Sequence, residues 1–133
     1  MLANLRAFEL FQGLDENSLV EVAKICEEIT IASGEIVIRQ DQVGETVFLM
    51  LEGSAAIYRG EGEPSHLLTV LQAPTVFGEM AVLNQGHLRS ANVKALSNLR
   101  LLAMPITQLD PLLRRFPRLR ENLQNLVAGR LLG

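Results

Sequence analysis

Phe77-Gly78-Glu79-Met80-Ala81-Val82-Leu83, then Asn84-Gln85-Gly86-His87-Leu88, then Arg89-Ser90-Ala91-Asn92-Val93, is the most informative stretch of this 133-residue chain. A glycine and a carboxylate open a short apolar helix. Nine residues separate the carboxylate from an arginine–serine pair that leads into a strand. The stretch thus supplies an acceptor for a hydroxyl at Glu79 and a helix N-terminus with unpaired backbone N–H groups. It also supplies a cation with a neighbouring hydroxyl, Arg89 and Ser90, suited to one phosphate. An arginine can donate two parallel hydrogen bonds to phosphate oxygens, which a lysine cannot do in the same geometry. Gly78 would let the backbone approach such a group closely. The plainer reading is an ion pair between Glu79 and Arg89 that closes the loop, with Ala81, Val82 and Leu83 facing a core in part.

On either side of this stretch the chain reads as short strands. Thr30-Ile31-Ala32 and Glu35-Ile36-Val37-Ile38-Arg39 are rich in β-branched residues and flank a Ser33-Gly34 turn. Val47-Phe48-Leu49-Met50-Leu51 and Ala55-Ala56-Ile57-Tyr58 flank Glu52-Gly53-Ser54, which predicts a hairpin with Gly53 at a positive φ. Gly60-Glu61-Gly62-Glu63-Pro64 is a polar turn, and Leu67-Leu68-Thr69-Val70-Leu71 follows as a strand. Ala91 to Leu96 and Leu99 to Ala103 predict a last hairpin around Ser97-Asn98. Several short strands at close spacing point to a sandwich or jelly roll.

The two ends read as helical. Leu2, Leu5, Phe8 and Leu10-Phe11 suggest a short amphipathic helix that Gly13 ends. Asp15 is a good N-cap for a helix running to about Ile29, with apolar positions at 19, 22, 23, 26 and 29. Beyond Pro105, Thr107 is read as the N-cap of Gln108 to Arg115, with Asp110 completing a capping box. Pro117 fits the first turn of a last helix. Its Leu119/Leu123/Leu126 stripe suits pairing with a second chain as a coiled coil, and equally suits lying against the domain's own sheet.

Composition bounds the function. A chain 48% apolar and 20% charged can bury one real core and is too short for two full domains. The net charge of -3 gives no general pull toward nucleic acid. Six arginines from Arg100 onward (100, 114, 115, 118, 120, 130) read as a solvated helix face. A single cysteine, Cys26, excludes a disulfide within the chain and reads as a buried small hydrophobe. His66 and His87 are not at metal-ligand spacing, so no metal or other cofactor and no metal-dependent enzyme is expected. No apolar run reaches membrane-spanning length and no signal-peptide layout is present, which predicts a cytoplasmic domain.

The 77–91 stretch resembles the phosphate-binding cassette of cyclic-nucleotide-binding domains, with the spacing of the bacterial catabolite-activator branch. The likeness extends over nearly the whole chain. Ala7 to Leu14 looks like the family's opening segment, Gly44 to Gly53 is similar to its central hairpin with a near-obligatory glycine, and Pro105 to Leu132 is similar to its B and C helices. The resemblance implies a mainly β fold: an antiparallel β-roll or jelly roll (double-stranded β-helix) over 30–104. N-terminal helices over 1–29 and B and C helices over 105–133 would flank it, the whole forming one domain.

It also implies a non-catalytic regulatory sensor of a 3′,5′-cyclic nucleotide, with cAMP favoured over cGMP. Phe77, Gly78, Glu79, Met80, Ala81, Arg89, Ser90 and Ala91 would form the site, Arg89 and Ser90 on the phosphate and Glu79 on the ribose 2′-OH. Binding would shift a hinge near Phe116-Pro117 and re-aim the C helix toward an output domain of the parent protein. That domain could be a transcription regulator's DNA-binding unit, a channel, a transporter or a kinase; this chain alone would bind no DNA. Two features depart from the family pattern. Gln72-Ala73-Pro74-Thr75-Val76 replaces the usual Gly-Asp turn, and the base-reading positions of the C helix would fall just past Gly133, leaving Arg130 as the nearby polar group. The alternative is an effector or dimerisation module that binds another small molecule or none.

Overall fold

A computed structural model describes residues 2–60, 66–83 and 88–132, with the side chains of Leu83 and of 130–132 outside the description. The turn expected over Glu61-Gly62-Glu63-Pro64, the Asn84–His87 loop and the Arg130 side chain lie outside the described residues. The order of elements is α1 (Leu2–Leu5), a 3-10 turn (Glu9–Phe11), α2 (Glu16–Ile25), β1 (Glu27–Ile31), β2 (Ile36–Ile38), β3 (Thr46–Glu52) and β4 (Ser54–Arg59). There follow β5 (His66–Gln72), β6 (Thr75–Phe77), α3 (Met80–Leu83), β7 (Asn92–Ala95), β8 (Leu99–Pro105), α4 (Ile106–Arg115) and α5 (Pro117–Leu132).

The strands form two antiparallel four-stranded sheets, ordered β1-β8-β3-β6 and β2-β7-β4-β5. This is the β-roll with helices at both ends that the sequence implied. Period-2 alternation explains why β3 and β8 read as nearly unbroken apolar runs. Phe48 and Met50 of β3, with Leu99 and Leu101 of β8, fill the space between the sheets. Val47 and Leu49, with Leu102 and Met104, point the other way into a second core made with the helices. The centre of that sheet, β3 and β8, is therefore buried on both faces.

The two hairpins expected around Gly53 and Ser97-Asn98 are not hairpins, and the Ser33-Gly34 turn does not join paired strands either. β1 and β2, β3 and β4, and β7 and β8 are each adjacent in sequence but lie in different sheets. Their turns are corners at which the chain changes sheet. Gly53 has φ +104, and a Cβ there would stand 2.6 Å from the Asn98 carbonyl oxygen and 2.7 Å from a Leu99 methyl. Two corners abut at that point, so Gly53 is required both by backbone and by space. Side chains knit the corners together: Asn98 Oδ1 accepts from the Ser33 amide at 3.0 Å, and Ser97 Oγ accepts from the Ser54 amide at 3.0 Å. The β5–β6 corner joins them through the Ala73 amide, which donates to the Gly53 carbonyl at 3.1 Å. The chain turns at Ala73-Pro74 and returns to strand at Thr75. With all four corners at one end of the roll, Thr46, Phe77, Arg59 and Asn92 come together at the other.

The helices differ from expectation at three places. The first expected helix is two pieces, α1 and the 3-10 turn, because Phe8 is extended at φ -97, ψ 135. Asp15 caps α2 as expected, accepting from the Ser18 amide at 2.8 Å. The helix stops at Ile25 rather than Ile29, because Glu27 to Ile31 pair with Leu99 to Ala103 and the ladder outweighs the helical spacing. Thr107 is not an N-cap. α4 opens at Ile106 directly from β8, with Pro105 at the cap position and no side-chain cap bond. The Ile106 amide is already satisfied by the Glu45 carbonyl at 2.8 Å, and burial of Ile106 fixes the start one residue before the threonine.

α5 begins at Pro117 as expected. Leu119 and Leu123 are fully buried within this domain's own core, packed chiefly on the 3-10 turn and α4, and Leu126 is half-buried. Two of the three stripe residues thus pack within the domain, against helices rather than against the sheet. Asn122 reinforces the contact by donating to the carbonyls of Leu10 and Gln12 at 2.9 and 2.8 Å. Among the described residues no helix is long and apolar enough to cross a membrane.

Candidate functional site

The open end of the roll holds a cavity of about 740 Å³. All eight residues singled out from the sequence line it: Phe77, Gly78, Glu79, Met80, Ala81, Arg89, Ser90 and Ala91. β6 delivers Phe77, which stacks on Phe48 of β3 with ring centroids 5.2 Å apart and so anchors the start of the cassette. Gly78 follows at φ +81, a left-handed conformation that favours glycine. α3 carries Met80 and Ala81, and Arg89 to Ala91 lead into β7. Ile38, Ile57, Leu71 and Val93 supply an apolar wall, and Gly129 of α5 lies at the edge.

Arg89 is held at both its backbone and its side chain. Its amide donates to the Gln42 carbonyl and its carbonyl accepts from the Asp41 amide, each at 2.9 Å. Asp41 reaches this position through a left-handed φ of 68. The guanidinium donates to the Gly78 carbonyl at 2.9 Å and to the Thr46 carbonyl at 2.7 Å. Two glycines leave the space for it. A Cβ at Gly44 would stand 2.5 Å from Arg89 Nε, and a Cβ at Gly78 would stand 2.8 Å from Nη1.

Glu79 is buried, at 1% exposure, beside this arginine. Burial lowers the Arg89 pKa from the usual arginine range, and the nearby Glu79 charge works in the opposite direction. Glu79 and Arg89 thus set opposite charges near one another on the cavity lining, in a setting where an anion meets less competition from water.

Several residues that line the cavity carry no local signal in the sequence. Arg59 and Thr69, on β4 and β5, line the same cavity, as does Leu68 at the irregularity where β4 and β5 lose register. Arg59 Nε donates to the Ser90 carbonyl at 3.1 Å. No local signal could have found this, since Arg59 and Ser90 are 31 residues apart. Thr46 and the Asp41–Gln42 loop act through backbone atoms, which carry no side-chain pattern. Among the described residues there is no cluster of three or more His, Cys, Asp or Glu able to hold a metal ion.

The two-sheet roll and its flanking helices belong to a known class. The chain is a member of the cyclic nucleotide-binding domain family, whose sequence profile matches residues 28–116. Domains of this family are regulatory and non-catalytic. The chain is similar to sensor domains of the bacterial catabolite-activator type. It is 28% identical over 128 residues to the cyclic AMP receptor protein of Thermus thermophilus, across 96% of this chain and 59% of that protein. It is 27% identical over 121 residues to cyclic nucleotide-gated channel alpha-4 of Mus musculus, across 87% of this chain and 21% of that protein. The crystal structure of the Thermus thermophilus catabolite activator protein matches with a TM-score of 0.82 and 29% identity, covering 92% of this chain and 58% of that one. The chain therefore spans less than two thirds of the length of these relatives.

Proposed function

We propose that this chain is a cytoplasmic sensor that binds a 3′,5′-cyclic nucleotide in the cavity at the open end of the roll. The observation that carries this reading is the convergence on one cavity of Glu79, Arg89 and Ser90, with the arginine held by two backbone carbonyls. Arg89 meets the cyclic phosphate, Ser90 adds its hydroxyl, and Glu79 accepts from the ribose 2′-OH. Phe77, Gly78, Met80, Ala81 and Ala91 shape the floor. Hydrogen bonds to charged groups contribute roughly 1.5–3 kcal/mol each, and several converging on one ligand offset the entropy cost of association. Likeness to a cyclic AMP receptor protein favours cAMP over cGMP.

The chain is read as one unit in three parts: N-terminal helices over 1–29, roll over 30–104, and B and C helices over 105–133. Gly129 borders the cavity, so the C helix is placed to feel its occupancy. The ligand would favour one of two helix positions by its difference in affinity for them, pivoting near Phe116-Pro117 toward an output domain of the parent protein. Calorimetric titration with cAMP and cGMP, with 5′-AMP as control, tests the reading. Heat with a cyclic nucleotide but not with 5′-AMP is expected; silence with both cyclic nucleotides would overturn it.

A further inference from the structure

We propose that Arg59 is a second cation for the ligand's phosphate, reaching it from the rim of the cavity. The inference rests on the cyclic-nucleotide reading of the site and adds a residue that neither the cassette pattern nor the family likeness assigns. Arg59 ends β4, in the sheet where β4 runs antiparallel to β7, with Tyr58 opposite Asn92. That register sets Arg59 beside the start of the strand that Arg89 and Ser90 lead into. Its Nε donates to the Ser90 carbonyl at 3.1 Å, which orients the guanidinium along the cassette. Asn92, buried in β7, donates to the carbonyls of Tyr58 and Gly60, both at 3.3 Å, and so fixes the backbone on each side of Arg59. The side chain lines the cavity while remaining exposed.

Charge explains why a second cation matters. Among the described residues, the charged side chains lining the cavity are Arg89, Arg59 and Glu79. Arg89 and Glu79 together carry no net charge, so a monoanionic phosphate would enter a neutral floor. Arg59 makes the lining net positive and favours an anion at the mouth. Because it is exposed, its contribution should be screened by salt, unlike that of the half-buried Arg89.

The test is the dissociation constant for cAMP, measured at low and high salt for the parent, Arg59→Gln and Arg59→Lys. Arg59→Gln should weaken binding roughly fivefold at low salt, with the gap closing as salt rises. Arg59→Lys, which keeps the charge and loses the Nε bond, should retain most of the low-salt affinity. Arg59→Gln binding like the parent at low salt would overturn the proposal. So would equal weakening by both variants at every salt concentration, since Arg59 would then act only by holding the Ser90 carbonyl. A parent that binds no cyclic nucleotide would remove the underlying reading of the site, and this inference with it. A parent that binds isolates the role of Arg59.

Discussion

Gly44 and Arg89 occupy adjoining space so tightly that a methyl group on Gly44 would stand 2.5 Å from the arginine Nε and 2.8 Å from the Ala81 Cβ. Gly44 does not have the left-handed φ seen at Gly78, so glycine is needed here for room rather than for backbone freedom. Gly44→Val should push the guanidinium off the Thr46 and Gly78 carbonyls. Losing one well-placed charged hydrogen bond corresponds to about tenfold or more in affinity. Cyclic-nucleotide titration of the folded variant checks this. In an Arg89→Lys background, which removes the overlap with the guanidinium but not that with Ala81, the same glycine substitution should cost less.

Glu79 and Arg89 should fail in different ways. Arg89→Ala removes the cation proposed for the phosphate and should weaken binding of every cyclic nucleotide by roughly 1.5–3 kcal/mol. Glu79→Ala should weaken binding as well, but it should also narrow the gap between cAMP and its 2′-deoxy analogue, since the analogue lacks the hydroxyl from which Glu79 is proposed to accept a hydrogen bond. Either variant binding like the parent would show that the site is misplaced.

The fold class, and the gathering of the 77–91 residues on one cavity, were legible because both are written in side chains. β-branched runs marked the strands, and Gly78, Glu79, Arg89 and Ser90 carried recognisable chemistry at a recognisable spacing. What was not legible was how the strands pair. A Gly53 corner between sheets and a hairpin turn use the same residue for the same positive φ, and only long-range register separates them. The end of α2 was misread for a related reason. Ile29 continues the helical spacing, yet it belongs to a ladder formed with Leu101, 72 residues away. Arg59 carried no local signal, because what ties it to the cavity is a backbone carbonyl that β-pairing brings to it.

Cys26 predicts a pH dependence. Burial pushes its thiol up to about 11, whereas an unfolded cysteine titrates near 8.5. Between those values the folded state keeps a proton that the unfolded state has lost, so stability falls as pH rises. The contribution is complete below about pH 8.5 and is lost as pH passes through about 11. Urea unfolding at stepped alkaline pH should therefore show a steeper decline for the parent than for Cys26→Ala. Iodoacetamide should also modify the folded parent slowly near neutral pH, because little thiolate is present. Rapid labelling, or parallel declines for the two proteins, would contradict the assignment.

Asn122 predicts how firmly the C helix is held. Its amide group donates to the Leu10 and Gln12 carbonyls, tying the first half of α5 to the N-terminal segment rather than to the roll. Arg118 lies on the same side, its guanidinium against Gly13, where a Cβ would stand 2.8 Å from Nε. Asn122→Ala removes both donors while leaving the two carbonyls in place, at a cost of about 1–2 kcal/mol. Leu119 and Leu123 remain buried, so the helix should stay folded with a lower unfolding midpoint. Hydrogen exchange should quicken at residues 10–13 and in the first half of α5, and stay unchanged in β3 and β8. Faster exchange in those two strands would mean that Asn122 supports the roll itself, and that the helix is not a separately anchored element free to be re-aimed by ligand.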